Sequence, residues 1–504
     1  MRRMNLQQRM RLLFATLMMF ALVAMPFASF AKQGISGGQD KQSSPKNTKI
    51  KGKAPVNKDV LKVTLPKPYE ATLKNGLTVL ILPNSKLPTV SLQLQITGAG
   101  DLYDPKDLPG LASLTAQMLR EGTKTRTGSE ISAAIDEIGA GLGASASFGS
   151  QGAAISASGL SDSFDALLDY MSDILLNPVF PEKELARITT NQKIQLQNFR
   201  TNPGFLANER FSKAIYGDHP AAVSGTTVAA LEKITPTMLK EFRDNHYFAG
   251  NAILAISGDV DPKVIMPKIE KAFGSWQKGT PAEMKWPEPP TPNKVKIYLV
   301  DRPNSVQTDL TLGNLAISRT SPDYIPLVVM NRVVGGGSTA RLFTNLREDK
   351  GYTYGAYSSF VALRYAGTWS ANSQVRTDVT EGSMKEFMYE LNRIRDEKVS
   401  VKELEEVKRS LIASFALSLE SPDSLLRNAI LLKLYPSLPA NYWDTYTDQI
   451  AAVTADDVQR VAKKYVGVDH MTIVAVGDAS KIKDILAKYG EVEVYNTDGV
   501  KIGG

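Results

Sequence analysis

The 504-residue chain has no cysteine. That excludes disulfides, thiolate metal sites and lipid attachment through sulfur, and leaves packing to hold the fold. Histidine is nearly absent. His219, His246 and His470 are the only three, and no two stand four apart, the spacing that sets two imidazoles on one helix face to bind a metal. A site built from carboxylates alone poorly suits zinc. Each of these histidines, taken singly, reads as a structural or surface residue. A comfortable membrane span is missing too, because the apolar run Leu12 to Met25 is too short for one.

That run belongs to a leader. Arg2, Arg3, Arg9 and Arg11 precede it, and Ser29-Phe30-Ala31 offers small residues at the two positions a signal peptidase reads. Residues 1–31 are expected to be a secretory signal cleaved before Lys32, and a cysteine-free exported protein suits a bacterial periplasm. The formal net charge of +7 is local. The leader's four arginines face no acid, and residues 32–59 hold seven lysines against two aspartates, so the remainder from Val60 carries −2. No nucleic-acid surface is implied for the folded part. Residues 32–66 read as a Lys-rich solvated tether.

Folding sequence begins near Tyr69. Ala71–Leu73 and Leu77–Ile81 flank an Asn75-Gly76 turn, and Val90–Ile96 alternates as a half-buried strand. Helices are expected from Gly110, Glu130, Ser161, Glu182 and Phe205, with a strand pair between Gly143 and Ser158. A helix opening at Thr235-Pro236 then leads to strand Ala252–Ile256. The succession recurs. Lys183 and Lys402, Pro203 and Pro422, Tyr216 and Tyr435, Thr235 and Thr454, and AILAISGD and MTIVAVGD all differ by 219. A constant offset means a duplicated domain. In the second copy Ser400 and Glu403 are expected to form a capping box. Residues 67–277 and 295–495 are therefore expected to be two α+β domains, each a largely antiparallel sheet with helices on one face. The Pro-rich connector 278–294 joins them, semi-rigid across Pro281–Pro292.

In the second copy, LFTNLREDKGYTYGAYSSF reads as helical turns ended by Gly351, then a strand. Arg347 and Tyr354 flank that turn, so a fixed cation and a phenol can be aimed at one point. On their own such residues read as a surface arginine and a half-buried strand tyrosine. With the preceding Gly335-Gly336-Gly337-Ser338, however, the stretch resembles the C-terminal half of the pitrilysin/insulinase family of zinc peptidases. GLTVLILPNSKLPTVSLQLQITGAG and HYFAGNAILAISGDVDP resemble other family segments. The resemblance runs from about Tyr69 to about Gly490 and implies two αβ domains forming a half-shell. It also implies that Arg347 grips the substrate backbone and Tyr354 the reacting carbonyl.

The same resemblance locates a deficit. The family's His-x-x-Glu-His helix corresponds to GLASLTAQMLREGT, where Ser113 and Gln117 occupy the ligand positions and Ala116 that of the general base. The third ligand's helix falls within Glu182–Phe199, and no carboxylate occurs from Ile188 to Asn208. All four positions are vacant, so catalysis by this chain alone is rejected. Aligning Gly139 with Gly351 sets Ile135 opposite Arg347 and Leu142 opposite Tyr354, so the pair belongs to the second copy only. The expected function is the zinc-less subunit of an exported two-chain peptidase, with zinc on a homologous partner subunit and a peptide as substrate. The alternative is a non-enzymatic structural or peptide-binding subunit of the same descent. Small residues Gly141, Gly143, Ala144 and Ala146 suit an edge to which a peptide adds as a strand.

Overall fold

The computed structural model describes residues 61–503, so the leader and most of the Lys-rich tether lie outside the described residues. Two mixed sheets form, in an α+β arrangement. The first comprises β1 (Tyr69–Thr72), β2 (Thr78–Pro83), β3 (Thr89–Thr97), β4 (Gly141–Ala146), β5 (Gly152–Leu160) and β6 (Ala252–Gly258), in the order β1-β2-β6-β3-β5-β4. All its pairings are antiparallel except β2 with β6. The second comprises β7 (Lys296–Asp301), β8 (Gln307–Leu315), β9 (Thr353–Phe360), β10 (Thr368–Arg376), β11 (Thr472–Gly477), β12 (Glu491–Tyr495) and β13 (Lys501–Gly503), in the order β13-β12-β7-β11-β8-β10-β9. Here β7 is parallel to both β11 and β12, and the sheet runs on past residue 495 to Gly503. β4 and β9 are the matching edge strands.

The duplication is visible element by element. The first half includes the helices α1 (Leu111–Met118), α2 (Gly128–Glu137), α3 (Glu182–Phe199), α4 (Pro203–Tyr216) and α5 (Pro236–His246). In the second half α6 (Thr380–Asp396), α7 (Val401–Ser418), α8 (Pro422–Leu434) and α9 (Ala455–Tyr465) follow β10. Adding 219 to the bounds of α3 and α5 returns those of α7 and α9. Thr235 and Thr454 cap α5 and α9 alike, each accepting a backbone N–H three residues on. At Ser400 the capping box is only half formed. Its hydroxyl accepts from Glu403 N (3.2 Å), but the Glu403 carboxylate turns instead to Arg341, whose Nε and Nη2 each donate to it at 2.8 Å. A two-pronged charged bond outcompetes one to a backbone amide.

Each sheet buries one face under helices of its own half. The opposite face receives a helix from the other half, which the local pattern does not reveal. Leu206, Phe211 and Ile215 of α4 pack on Val300, Val474 and Val476 of the second sheet. Leu425, Leu426 and Ile430 of α8 pack on Leu80, Leu82, Ile253 and Ala255 of the first. Gly313 of β8 permits the first contact, since a Cβ there would stand 2.7 Å from the Phe211 ring. Tyr216 donates to Ala366 O (3.2 Å), and Lys433 pairs with Glu70 (2.6 Å). Trp286, from the connector, packs edge-on to His219 and Tyr103.

Candidate functional site

Arg347 is carried by a widened turn. Arg341–Phe343 is α-helical, but Thr344–Asp349 forms a π-helix, so the simple helical turns expected here are corrected to one wider turn. Gly351 closes it with φ +63°, a conformation glycine takes without cost. Tyr352 N reaches back to Leu346 O at 2.9 Å. The Arg347 guanidinium lies 4.9 Å from the centre of the Phe343 ring and 3.4 Å from Glu348, with its side chain about half exposed at 45%. Phe343, itself buried, thus steadies a cation that remains open to solvent.

Tyr354 owes its position to a bulge. Thr353 pairs with Val375 and Ala356 with Ser373, so Tyr354 and Gly355 together stand opposite the single Gln374. One extra residue in an edge strand bends it and re-aims a side chain. Tyr354 is 88% exposed, where a half-buried strand tyrosine was expected. Hydroxyls fasten the irregularity. Thr353 Oγ1 donates to Gln374 O (2.6 Å) and accepts from Gly355 N (3.1 Å), while Ser373 Oγ donates to Gly355 O (2.9 Å). The carbonyl and amide released by the bulge are therefore satisfied internally.

The corresponding edge of the first half has no such feature. β4 pairs with β5 in unbroken register from Gly141↔Ser158 to Ala146↔Ala153. Leu142 and Ile135 are buried, and Gly139 repeats the Gly351 conformation at φ +61°. Beside this edge lies α1, packed on β4. Ala116 is fully buried. Ser113 Oγ lies 2.9 Å from both Asp101 and the Ala146 carbonyl. Gln117 accepts from Gln192 Nε2 (3.0 Å) on α3, so a neutral amide pair crosses between the two helices. These groups do not fit zinc: a committed hydroxyl, a methyl and two amides supply neither imidazole nor carboxylate. Among the described residues no three of His, Cys, Asp and Glu are grouped to hold a metal.

Two carboxylates do stand at the start of α1. Asp104 accepts from Gly110 N (2.6 Å) and Ala112 N (2.8 Å), and Asp101 from Ser113 N (3.1 Å). Burial, with the charge of Asp101 adding to it, pushes Asp104 up to about 8, and burial raises Asp101 as well. Two of the three histidines are held by backbone contacts, and His470 is exposed. His219 accepts from Ala221 N at 3.0 Å, and His246, the last residue of α5, lies 2.7 Å from Gly98 O. Burial lowers the pKa of both.

Thr353, Gly355, Ser373, Gln374 and Gln192 escaped the sequence reading. For the bulge one signal existed, since a lone glycine inside a strand pattern marks such an irregularity. Nothing in the sequence marks the amide pair.

Comparison with known proteins bears on this geometry. Residues 78–225 match the family "Insulinase (Peptidase family M16)", and residues 233–411 match "Peptidase M16 inactive domain". A solved structure of a peptidase M16 inactive domain from Pseudomonas fluorescens is 31% identical, with TM-score 0.75, covering 82% of this chain and 98% of that one. An uncharacterized zinc protease of Bacillus subtilis, YmxG, is 24% identical over 78% of this chain and 94% of its own. A protein of Helicobacter pylori named "Non-peptidase homolog YmxG" is 22% identical over 79% of this chain and 91% of its own. No helix among the described residues is long and apolar enough to cross a membrane.

Proposed function

Because the chain belongs to the insulinase (M16) peptidase family, with the homologue named an inactive domain among its relatives, we propose that it is the non-zinc subunit of an exported, periplasmic two-chain peptidase. A homologous partner brings the zinc and the general base. This chain brings Tyr354, which donates to the oxygen that gains charge as the peptide carbonyl is attacked, and Arg347, which holds the substrate backbone. The observation that carries the reading is the β9 bulge. An edge tyrosine held 88% exposed by hydroxyls beneath it has no role in the core, and a phenol so presented is a donor awaiting an acceptor. The edge strand β4, with Gly141, Gly143, Ala144 and Ala146, offers backbone to which an extended peptide adds.

The second reading, a structural or peptide-binding subunit without catalytic duty, is favoured by the vacant α1 and by the relative named a non-peptidase homologue. Mixing the purified chain with a His-x-x-Glu-His homologue from the same genome separates the two. The first reading expects peptide hydrolysis that neither chain performs alone, and a raised KM with Arg347→Ala. A stable complex whose turnover equals that of the zinc-bearing chain by itself would establish the second.

A further inference from the structure

The duplication leaves one seam between the halves filled and its counterpart open. Tyr216 and Tyr435, 219 apart, stand at the ends of α4 and α8. Tyr216 is buried, its hydroxyl donates to Ala366 O in the β9–β10 turn, and His219 and Tyr365 pack against its ring. Tyr435 is half-buried, and its hydroxyl has no hydrogen-bond partner among the described residues. Beside it lies a cavity of about 370 Å³, bounded by the β4–β5 turn, the β9–β10 turn and the end of α8. This is within the range of small-molecule sites, roughly 300–1,000 Å³. Tyr365 pins the two turns to each other by donating to Gly149 O at 2.8 Å.

The wall of the cavity selects an occupant. Phe148, Val361, Leu363 and Leu434 supply apolar surface, and Val361 is 48% exposed, so this surface is open to a ligand. Arg364 is the one charged residue in the lining, and among the described residues it pairs with no carboxylate. It is exposed, and Nη2 donates to Leu434 O (3.0 Å) at the carbonyl end of α8, which orients the guanidinium and leaves Nε and Nη1 to a ligand. A guanidinium fork fixed at the mouth of an apolar cavity takes a carboxylate. Burial raises the pKa of the Tyr435 hydroxyl, against the charges of Arg319 and Arg364, so the phenol keeps its proton and can donate as well. The half-buried side chains of Gln95 and Gln151 make no hydrogen bond among the described residues. A fatty acid would offer these amides nothing, whereas a peptide bond offers both a donor and an acceptor. We infer that this cavity holds the C-terminal residue of a peptide, its large apolar side chain on Phe148, Val361, Leu363 and Leu434 and its free carboxylate on Arg364 and Tyr435. Val361 lies seven residues past Tyr354, roughly 20 Å away at strand spacing, so the cavity is distinct from the place given to the reacting carbonyl. The inference goes beyond the reading above and needs neither zinc nor a partner chain.

The test is calorimetric titration of the full chain with N-acetyl-Ala-Ala-Phe bearing a free carboxylate, beside its C-terminal amide, N-acetyl-Ala-Ala-Ala and dodecanoate. The free acid is expected to bind. The amide and the alanine peptide should bind about tenfold more weakly or worse, one lacking the charged contact and the other the apolar burial. Arg364→Gln changes an exposed side chain and is expected to keep the fold while erasing the difference between acid and amide. Absence of binding at millimolar acid, equal binding of acid and amide, or a difference that survives Arg364→Gln overturns the proposal. Dodecanoate binding as tightly as the peptide overturns it too, by making the cavity a site for amphiphiles. The roles given to Arg347 and Tyr354 are read from turnover in the two-chain complex, so the two proposals fail separately.

Discussion

The edges β4 and β9 are the same strand built twice, and they differ by one residue. In β4 the register is unbroken and Leu142 turns into the core. In β9 Tyr354 and Gly355 oppose one residue, and the tyrosine faces out. Side chains alternate with period two, so a single extra residue exchanges inside for outside. On the proposed reading, a half-site is made from scaffold by an irregularity in register and three hydroxyl contacts, with the rest of the duplicated framework left in place. The α1 helix beside β4 presents the converse case. There the framework persists while Ser113, Ala116 and Gln117 contribute a hydrogen bond, a buried methyl and an amide pair.

The largest effects should come from the feature that the two halves share. Phe211→Ala removes the ring that α4 lays on the second sheet, and Leu426→Ala the matching contact of α8 on the first. Losses of about 3–5 and 2–5 kcal/mol respectively are expected in chemical denaturation. A loss confined to one variant would mean that the exchange of helices is not reciprocal in energy. Next comes removal of the bulge. Deleting Gly355 restores the register of β4 to β9 and should turn Tyr354 inward, lowering turnover of the two-chain complex by about 10²–10³ while the fold survives.

The duplication itself was legible. A constant offset, the Asn75-Gly76 turn and the Thr-Pro cap at Thr235 are local signals, and they located α3, α5, α7 and α9 and the strands between them. The exchange of α4 and α8 was not legible, because an amphipathic helix advertises an apolar stripe but not which sheet will cover it. Nor was Gln117 legible as the partner of Gln192, since two amides 75 residues apart carry no pattern. Arg347 and Tyr354 were singled out by the resemblance of their stretch to a known family, since their spacing around Gly351 alone reads as an ordinary surface arginine and strand tyrosine. What presents them, the π-turn and the Thr353–Ser373 fastening, depends on hydrogen bonds that sequence period does not report.

Smaller effects sharpen the same contrast. Thr353→Val removes the hydroxyl that Gly355 N and Gln374 O share, at an edge that water reaches, and should cost about 0.5–1.5 kcal/mol. The corresponding position in the first half, Gly141, has no side chain to lose. At α1, Asp104 binds its proton more tightly folded than unfolded, its pKa moving from 3.8 to about 8. Between those values the folded state holds more protons, so the stability Asp104 contributes is complete below pH 3.8 and is lost as the pH rises through 8. Melting temperature should therefore drift down across this range, and Asp104→Asn should flatten the drift.

The central claim is that the β9 bulge presents a phenol for chemistry that β4 cannot perform. Tyr354→Phe removes one hydroxyl from an exposed ring and leaves the bulge, its fastening and the assembly surface in place. Steady-state kinetics of the variant, in a complex with the zinc-bearing homologue verified by light scattering, is the direct measurement. The account predicts a fall in kcat of about 10²–10³ with KM little changed. Wild-type turnover from an intact, zinc-loaded complex carrying Tyr354→Phe would contradict it.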